Sequence, residues 1–102
     1  MNTYQLSIIT PNGKVFDDQV ESLVAPGVAG SLGVLAGHAP IVVSLKKGPF
    51  TVKKGNNERF YAVSAGILEV RGQNRVIVLC DYAVEQHSLE ETRHYIASSN
   101  TN

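Results

Sequence analysis

The sequence predicts an all-β domain of the sandwich or barrel type. Short runs of β-branched and aromatic residues recur along the chain, and Gly, Pro and Asn separate them. Helical periodicity is nearly absent, with one exception near the C-terminus. A length of 102 residues, 43% of them hydrophobic, is enough for a single domain with a small core.

The first predicted element is a hairpin. Tyr4, Leu6 and Ile8 alternate with polar residues, as one face of a strand does. Pro11-Asn12-Gly13 then signals a turn, and a second strand should resume at Lys14. Further strands are predicted, in chain order, at residues 20–25, 41–45, 50–54, 60–64, 67–71 and 75–81.

The strand predicted at 75–81 is apolar without interruption from Val76 to Cys80. Because polar residues do not alternate with apolar ones, both faces should be covered, one by the opposing sheet and the other by further residues or a partner. An interior strand is therefore expected. Cys80 is interpreted as a small apolar filler, since a single cysteine forms no internal disulfide.

One short helix is predicted after the strands. Ser88 and Glu91 have the spacing of a capping box, and Leu89, Arg93 and Ile96 would share one face. Such a helix would end within about two or three turns. Residues 98–102 have the composition of a frayed tail.

The charges exclude several classes of partner. Nine basic residues balance nine acidic ones, so no net field attracts nucleic acid or an anionic membrane, and another protein is the expected partner. Lysine pairs at 46–47 and 53–54 flank one short strand. We interpret them as lysines that keep an edge strand from aggregating, in preference to a nucleic-acid-binding hairpin. The N-terminus lacks the regions of a signal peptide, so a cytoplasmic or organelle-interior location is expected.

No constellation of residues indicates catalysis, a cofactor or a metal. The glycines lack the spacing of phosphate-binding loops, and His38, His87 and His94 lack the spacing of zinc ligands. Adjacent carboxylates at 17–18 and 90–91 point apart rather than converging on a substrate. Cys80 has no basic neighbour in sequence to activate its thiol. The chain is therefore predicted to be non-enzymatic, with no catalytic, cofactor-binding or metal site.

The segment from Pro26 to Pro40 is the least ordinary part of the sequence. No charged residue occurs from Ser22 to Leu45, a span that meets the requirement of roughly 20 residues for a membrane helix. Four glycines and two prolines in the segment disfavour such a helix, because they favour tight turns and remove backbone donors. A loop or turn-rich ribbon that docks on another protein is the preferred interpretation.

Residues 20–40 read V-E-S-L-V-A-P-G-x-x-G-x-L-G-V-L-x-G-H-A-P, a pattern that resembles the signature of the epsilon subunit of F-type ATP synthases. The pattern continues with G-P-F at 48–50, S-A-G-I-L-E-V at 64–70, and the strand at 76–81 followed by Tyr82-Ala83. The resemblance covers nearly the whole chain. Ser31 and Ala65 depart from residues that are common in the family, without consequence for the fold.

The resemblance implies a flattened β-sandwich of about ten strands over residues 1–87, with 88–102 as a partly disordered remnant of a C-terminal helical region. It also implies a non-catalytic rotor subunit of the central stalk in the F1 complex, on the cytoplasmic or organelle-interior face of an energy-transducing membrane. Such a subunit binds gamma and the polar loops of the c-ring, and it meets the membrane only through the Fo sector. It couples proton translocation to ATP synthesis.

The resemblance also carries over partner contacts. These are Gly30, Ser31, Leu32 and Gly33 at the c-ring end, and Gly37 and His38 near the other rotor contacts. His38 has the simpler alternative of bracing the turn before Pro40. A stable interface buries about 1,200 to 2,000 Å², so a sheet face should contribute beside this segment.

Two further expectations concern regulation. The family's C-terminal helical hairpin, which can extend and inhibit ATP hydrolysis, is expected to be missing. Residues 89–94 match the family's ATP-binding motif only in part, so no ATP binding is expected. The alternative to the whole interpretation is a free-standing β-sandwich module that binds a peptide or small ligand.

Overall fold

Ten β-strands and one α-helix make up the computed structural model, which describes residues 2–98. The strands are β1 Tyr4–Thr10, β2 Gly13–Val20, β3 Ser22–Gly27, β4 Gly30–Leu35, β5 Ile41–Leu45, β6 Gly48–Lys54, β7 Asn57–Val63, β8 Gly66–Arg71, β9 Arg75–Cys80 and β10 Ala83–Gln86. The helix α1 is Leu89–Ser98. The all-β prediction is confirmed, and so is the N-terminal hairpin, whose second strand begins at Gly13 with a φ of 117°.

The strands form one continuous sheet that folds over into two layers. Its order is β10-β7-β6-β3-β5-β8-β9-β1-β2, and β4 pairs with β3 beside this path. The fold-over occurs where Gly27 of β3 pairs with Leu45 of β5. We call β4-β3-β6-β7-β10 the helix-side layer and β5-β8-β9-β1-β2 the open layer.

The core lies between these two layers. Alternate side chains of both layers point into it and are almost inaccessible, as strand geometry requires. Its largest members are Tyr4, Leu6, Ile8, Leu23, Phe50, Tyr61 and Leu68. At the ends of the sheet order, the rings of Phe16 and Tyr61 meet edge to face with centroids 6.3 Å apart, which joins β2 to β7.

Helix α1 packs on the outside of the helix-side layer, against β6, β7 and β10. The predicted cap forms: the Glu91 N–H donates to Ser88 Oγ at 3.1 Å, and Glu91 Oε1 accepts from the His87 N–H at 3.3 Å. Of the residues predicted to share one face, Leu89 and Ile96 are half-buried and Arg93 is exposed, while Thr92 is the buried residue of the helix. The frayed tail predicted at 98–102 lies outside the described residues except for Ser98, which ends the helix.

The structure corrects several strand predictions. The strand predicted at 20–25 is two strands, because Glu21 lies between β2 and β3 and donates its N–H to the Lys53 carbonyl at 2.9 Å, beside the Ser22–Lys53 pair. The ribbon between Pro26 and Pro40 contains a regular strand, β4. Strand β10 was not predicted. Because β6 lies between β3 and β7, the edge-strand explanation of its flanking lysines is wrong.

Strand β9 is interior, as its apolar sequence predicts, since it lies between β8 and β1. Its inward residues Val76, Val78 and Cys80 are buried. On its outer face, however, Ile77 is half-buried and Leu79 is 49% exposed, so no described residue covers that face fully. The open layer therefore carries apolar side chains on both of its faces.

Candidate docking surface

The charge-free segment lies along one side of the sandwich. Strand β4 is the last strand of the helix-side layer, and β5 is the last strand of the open layer. The connection Ala36–Pro40 crosses from one to the other at one end, and the tip of the β3–β4 hairpin contacts β5 at the other, where the Val28 N–H donates to the Ser44 carbonyl at 3.0 Å. We call β4, this connection and β5 the uncharged side.

Burial does not explain why this segment lacks charge. Of the 24 residues from Ser22 to Leu45, 13 are exposed, and Val28, Leu35 and Val42 are 63–68% exposed. Charged residues make up about 25–35% of an ordinary protein surface, so three or four would be expected among about 13 exposed positions. The uncharged side is thus a surface from which charge is absent.

The opposite side of the sandwich has the composition that sheet edges usually show. Its edge strand β2 carries Lys14, Asp17 and Asp18, and the edge strand β10 carries Glu85, which lies 3.8 Å from Arg59. Charged side chains on an edge strand keep it from pairing with other chains. The two sides of one small domain therefore differ in this protection.

Strand β4 leaves backbone groups unpaired along its free edge. The Pro26 carbonyl accepts from the Lys46 N–H at 2.9 Å, so Pro26 directs its backbone away from β4, and Gly27 and Ala25 direct theirs toward it. By the register of the hairpin, Leu32 and Val34 of β4 are bonded to β3. The backbone groups of Ser31 and Gly33 consequently point outward, and no described residue pairs with them.

The glycines at the hairpin tip are required by its geometry. Gly30 has a φ of 136°, which side chains disfavour. A Cβ on Gly27 would lie 2.6 Å from the Gly30 carbonyl oxygen, so only glycine fits that position as well. Gly37 has a φ of 82° in the turn after β4. Three of the glycines are thus explained by backbone conformation, whereas Gly33, in a regular strand, is not.

The six predicted contact residues all lie on the uncharged side but not at one place. Gly30 and Ser31 begin β4, and Gly37 and His38 follow its end, so the two groups are separated by the length of the strand, about 17 Å at about 3.4 Å per residue. The Leu32 side chain packs against the core and is only partly available to a partner. The remaining five residues border open surface.

His38 is held by backbone contacts within its own turn. Its N–H donates to the Leu35 carbonyl at 3.2 Å, and its Nδ1 lies 2.7 Å from the Ala39 carbonyl oxygen. These contacts agree with the simpler expectation that His38 braces the turn. They leave Nε2 as the ring atom available to a partner.

Sequence reasoning missed an apolar patch on the outer face of the open layer. Cross-strand partners share a face of a sheet, and the register places Val42, Ile67, Leu79, Ile77 and Ile9 together on that face. Leu79 and Ile67 are nearly half exposed, and Val42 is 67% exposed. We call these five residues the apolar patch. Because Val42 belongs to β5, the patch continues from the uncharged side.

A charged residue interrupts the apolar patch. Glu69 of β8 lies directly opposite Val42 on one side and Ile77 on the other. Its Oε1 is 3.2 Å from Arg71 Nε.

The margin of the patch on the β1–β2 side is polar. Asp17 accepts hydrogen bonds from Ser7 Oγ and Gln5 Nε2, both at 2.8 Å, and from Lys14. These donors, Ser7 first, lower the pKa of Asp17 to about 2, so its carboxylate stays ionised. Apart from Glu69, the surface has the apolar centre and polar rim that are usual for a protein interface.

A groove lies on the opposite side of the sandwich, between β2 and the β6–β7 hairpin. The groove measures about 610 Å³ and is lined in part by Phe16, Lys54 and Arg59. Its charged groups are already engaged: Lys54 lies 3.5 Å from Asp18, and Arg59 lies 5.8 Å from the centre of the Phe16 ring. These pairings make the groove a weaker candidate for a ligand than the uncharged side is for a partner.

The described residues offer no other chemistry. Among residues 2–98 no group of three or more His, Cys, Asp or Glu side chains could hold a metal ion. Burial raises the pKa of the Cys80 thiol, which suits its predicted role as an apolar filler and disfavours the nucleophilic thiolate. No helix within the described part of the chain has the length and hydropathy needed to cross a membrane.

Residues 3–86 match the family model described as ATP synthase, Delta/Epsilon chain, beta-sandwich domain. The chain belongs to this family. It is 41% identical over 92 residues to the ATP synthase epsilon chain of Chromohalobacter salexigens, covering 89% of this chain and 64% of that one. It is also 41% identical over 93 residues to the ATP synthase epsilon chain of Anoxybacillus flavithermus, covering 91% and 69%. The chain therefore spans about two thirds of the length of these relatives.

Chains in two solved ATP synthase structures share this fold. A chain in the Euglena gracilis mitochondrial ATP synthase, a structure containing OSCP, F1 and the c-ring, superposes with a TM-score of 0.80 at 26% identity, covering 93% of this chain and 59% of that one. A chain of the Tetrahymena thermophila mitochondrial ATP synthase central stalk and c-ring shares the fold, with a TM-score of 0.65 at 13% identity, covering 78% and 64%. The resemblance inferred from residues 20–40 is thereby confirmed.

Proposed function

We propose that this chain is a non-catalytic subunit of the central stalk of an F-type ATP synthase, where it links a gamma subunit to the c-ring. It would turn with them and couple proton translocation to ATP synthesis, on the periphery of an energy-transducing membrane. The observation that carries the proposal is the uncharged side together with the β3 strand and turn that precede it: 13 exposed residues between Ser22 and Leu45 without one charge. Family membership supports an ATP synthase as the assembly that would cover that surface.

The two ends of β4 suit two partners. At the hairpin tip, Gly30 and Ser31 are exposed, and their small side chains let another backbone approach closely, which suits contact with short polar loops of the c-ring. The other end, with Gly37 and His38, and the apolar patch would face gamma. We assign gamma to the patch because a broad apolar surface suits a permanent contact that must transmit torque.

The domain boundary proposed from the sequence also bears on this assembly. We propose residues 1–87 as the epsilon-type β-sandwich domain and 88–102 as part of a helical region, since α1 begins at Leu89 and packs on the layer opposite the apolar patch. The helix thus leaves the docking surface open. The lack of ATP binding at residues 89–94 stays a prediction.

Capture by purified partners tests the proposal. The chain should bind a gamma–c-ring subcomplex of an F-type ATP synthase and remain bound through gel filtration. A chain that stays monomeric and binds neither gamma nor the c-ring would contradict the proposal. That result would favour the alternative, a free-standing β-sandwich module that binds a peptide or small ligand in the groove beside Phe16.

A further inference from the structure

The free edge of β4 offers hydrogen-bonding groups in a regular pattern. The N–H and C=O groups of Ser31 and Gly33 point away from β3, and in the part of the chain that the structure describes no group pairs with them. Water can satisfy these groups in the isolated chain. Once a partner covers this side, however, only another polar group can satisfy them, and each group left unpaired there weakens the complex.

Gly33 adds a recess to this edge. It lies directly opposite Val24 of β3, and both positions face outward from the helix-side layer. Because Gly33 has no side chain, Val24 is left 48% exposed. No backbone requirement explains the glycine: its φ is ordinary for a strand, and the atom nearest to a Cβ there would be the Leu23 carbonyl oxygen at 4.0 Å. The position has room for a side chain that the sequence does not supply.

We propose that β4 is a strand-addition site, at which an extended and uncharged segment of a partner subunit pairs with the β4 backbone. The partner strand would place a large apolar or aromatic side chain beside Gly33, against Val24. This inference rests on the proposed stalk function and deepens it, because it names the chemistry of one contact. The lack of charge along β4 favours such a partner, because two uncharged strands can pair without removing an ion from water.

A second copy of this chain is a poorer occupant of the edge. In a symmetric antiparallel pair centred on β4, Gly33 would lie opposite Gly33, and Ser31 would lie opposite Leu35. Facing glycines bury almost no surface and weaken a strand pair. A partner strand with a bulky residue at that position fills the recess, which glycine cannot.

Amide hydrogen exchange in the assembled complex tests the pairing. The chain is bound to the gamma–c-ring subcomplex, exchanged, quenched and resolved residue by residue. We expect the amides of Ser31 and Gly33 to exchange at least about tenfold more slowly in the complex than in the isolated chain. The amides of Leu32 and Val34, already bonded to β3, should be slow in both states. This alternation is specific to strand pairing.

Two substitutions at one position supply a matched comparison. Gly33→Pro removes an N–H that points outward, so it leaves the bonds from β4 to β3 intact, and proline is tolerated on edge strands. Gly33→Ala keeps the N–H. We expect Gly33→Pro to weaken binding about tenfold and Gly33→Ala to weaken it no more than about threefold. Thermal unfolding of each variant shows whether the domain remains folded, and the exchange experiment does not depend on either variant.

The outcomes separate the two proposals. Unchanged exchange at Ser31 and Gly33 in an assembled complex would overturn strand addition and leave the stalk function standing. Slowing that depends on the concentration of the isolated chain would identify a second copy as the occupant and overturn the partner strand. Failure of the chain to assemble at all would overturn both proposals.

Discussion

The Val42→Asp substitution tests the apolar patch most directly. Val42 keeps 67% of its surface exposed, and complete burial of a valine is worth about 1.5 kcal/mol, so covering the rest by a partner contributes about 1 kcal/mol. A carboxylate at the same place forfeits this burial energy, and removing its charge from water costs about 2 kcal/mol or more. The sum of about 3 kcal/mol corresponds to a loss of affinity of about 150-fold.

The same substitution should disturb folding less. Only a third of Val42 is buried within the domain, so the lost burial is about 0.5 kcal/mol. The low β-propensity of aspartate adds about 1 kcal/mol, and repulsion by Glu69, directly opposite on β8, adds up to about 1 kcal/mol more. Urea unfolding measures this quantity on the isolated domain. Affinity for the gamma–c-ring subcomplex is measured in parallel by surface-immobilised titration.

Val15→Asp is the matched control for this test. Val15 is also a valine on an edge strand and is 40% exposed, but it lies on β2, beyond the polar margin of the patch. The control should lose a similar amount of folding stability and keep its affinity for the partners. Equal losses of affinity in the two variants would refute the assignment of the patch, since the effect would then follow from the charge and not from its place.

Further predictions concern the folding stability of variants at other positions. Gly66→Ala should prevent folding or lower the Tm sharply, because the new Cβ would collide with the carbonyl oxygen of Leu79, whereas Gly33→Ala should stay within about 0.5 kcal/mol. Ser88→Ala should lower the free energy of unfolding in urea by about 1 kcal/mol through loss of the helix cap, and Ser88→Asp should restore it. The pKa of Asp17, about 2 when folded, lies below its unfolded value of about 3.9; its stabilisation is present above about pH 4 and is lost as the pH falls through about 2. Asp17→Asn should remove that part of the stability–pH slope, and an unchanged slope would count against the hydrogen bonds.

Strand positions could be predicted wherever turn residues bound a run of β-branched ones. Strand β5 was predicted with its observed limits, and β8 and β9 to within one residue at each end. Strand β10 could not be predicted from its residues. Ala83–Gln86 does not alternate apolar with polar residues and is not rich in β-branched ones, and the strand is recognised only by its pairing with β7. Its formation depends on tertiary contacts that composition does not record.

The candidate site divides in the same way. The uncharged side could be found from sequence, because the absence of charge from Ser22 to Leu45 is a compositional signal. The apolar patch could not, since its members come from four strands whose neighbours are set by long-range register. One local clue existed: the unbroken apolar run of β9 predicted two covered faces, and the isolated domain covers only one.

That uncovered face and the uncharged side support the same conclusion from independent physical terms. An exposed apolar patch is a liability for a domain that stays alone, because it promotes association without selecting a partner. An unguarded edge strand is a second liability, because it recruits other strands. The opposite edge strand, β2, does carry charged residues that oppose pairing with other chains, namely Lys14, Asp17 and Asp18. The fold therefore tolerates charge on an edge strand, and the uncharged side lacks it. Both liabilities meet at Val42, where the side and the patch join, and a permanent partner that covers this junction removes the two together.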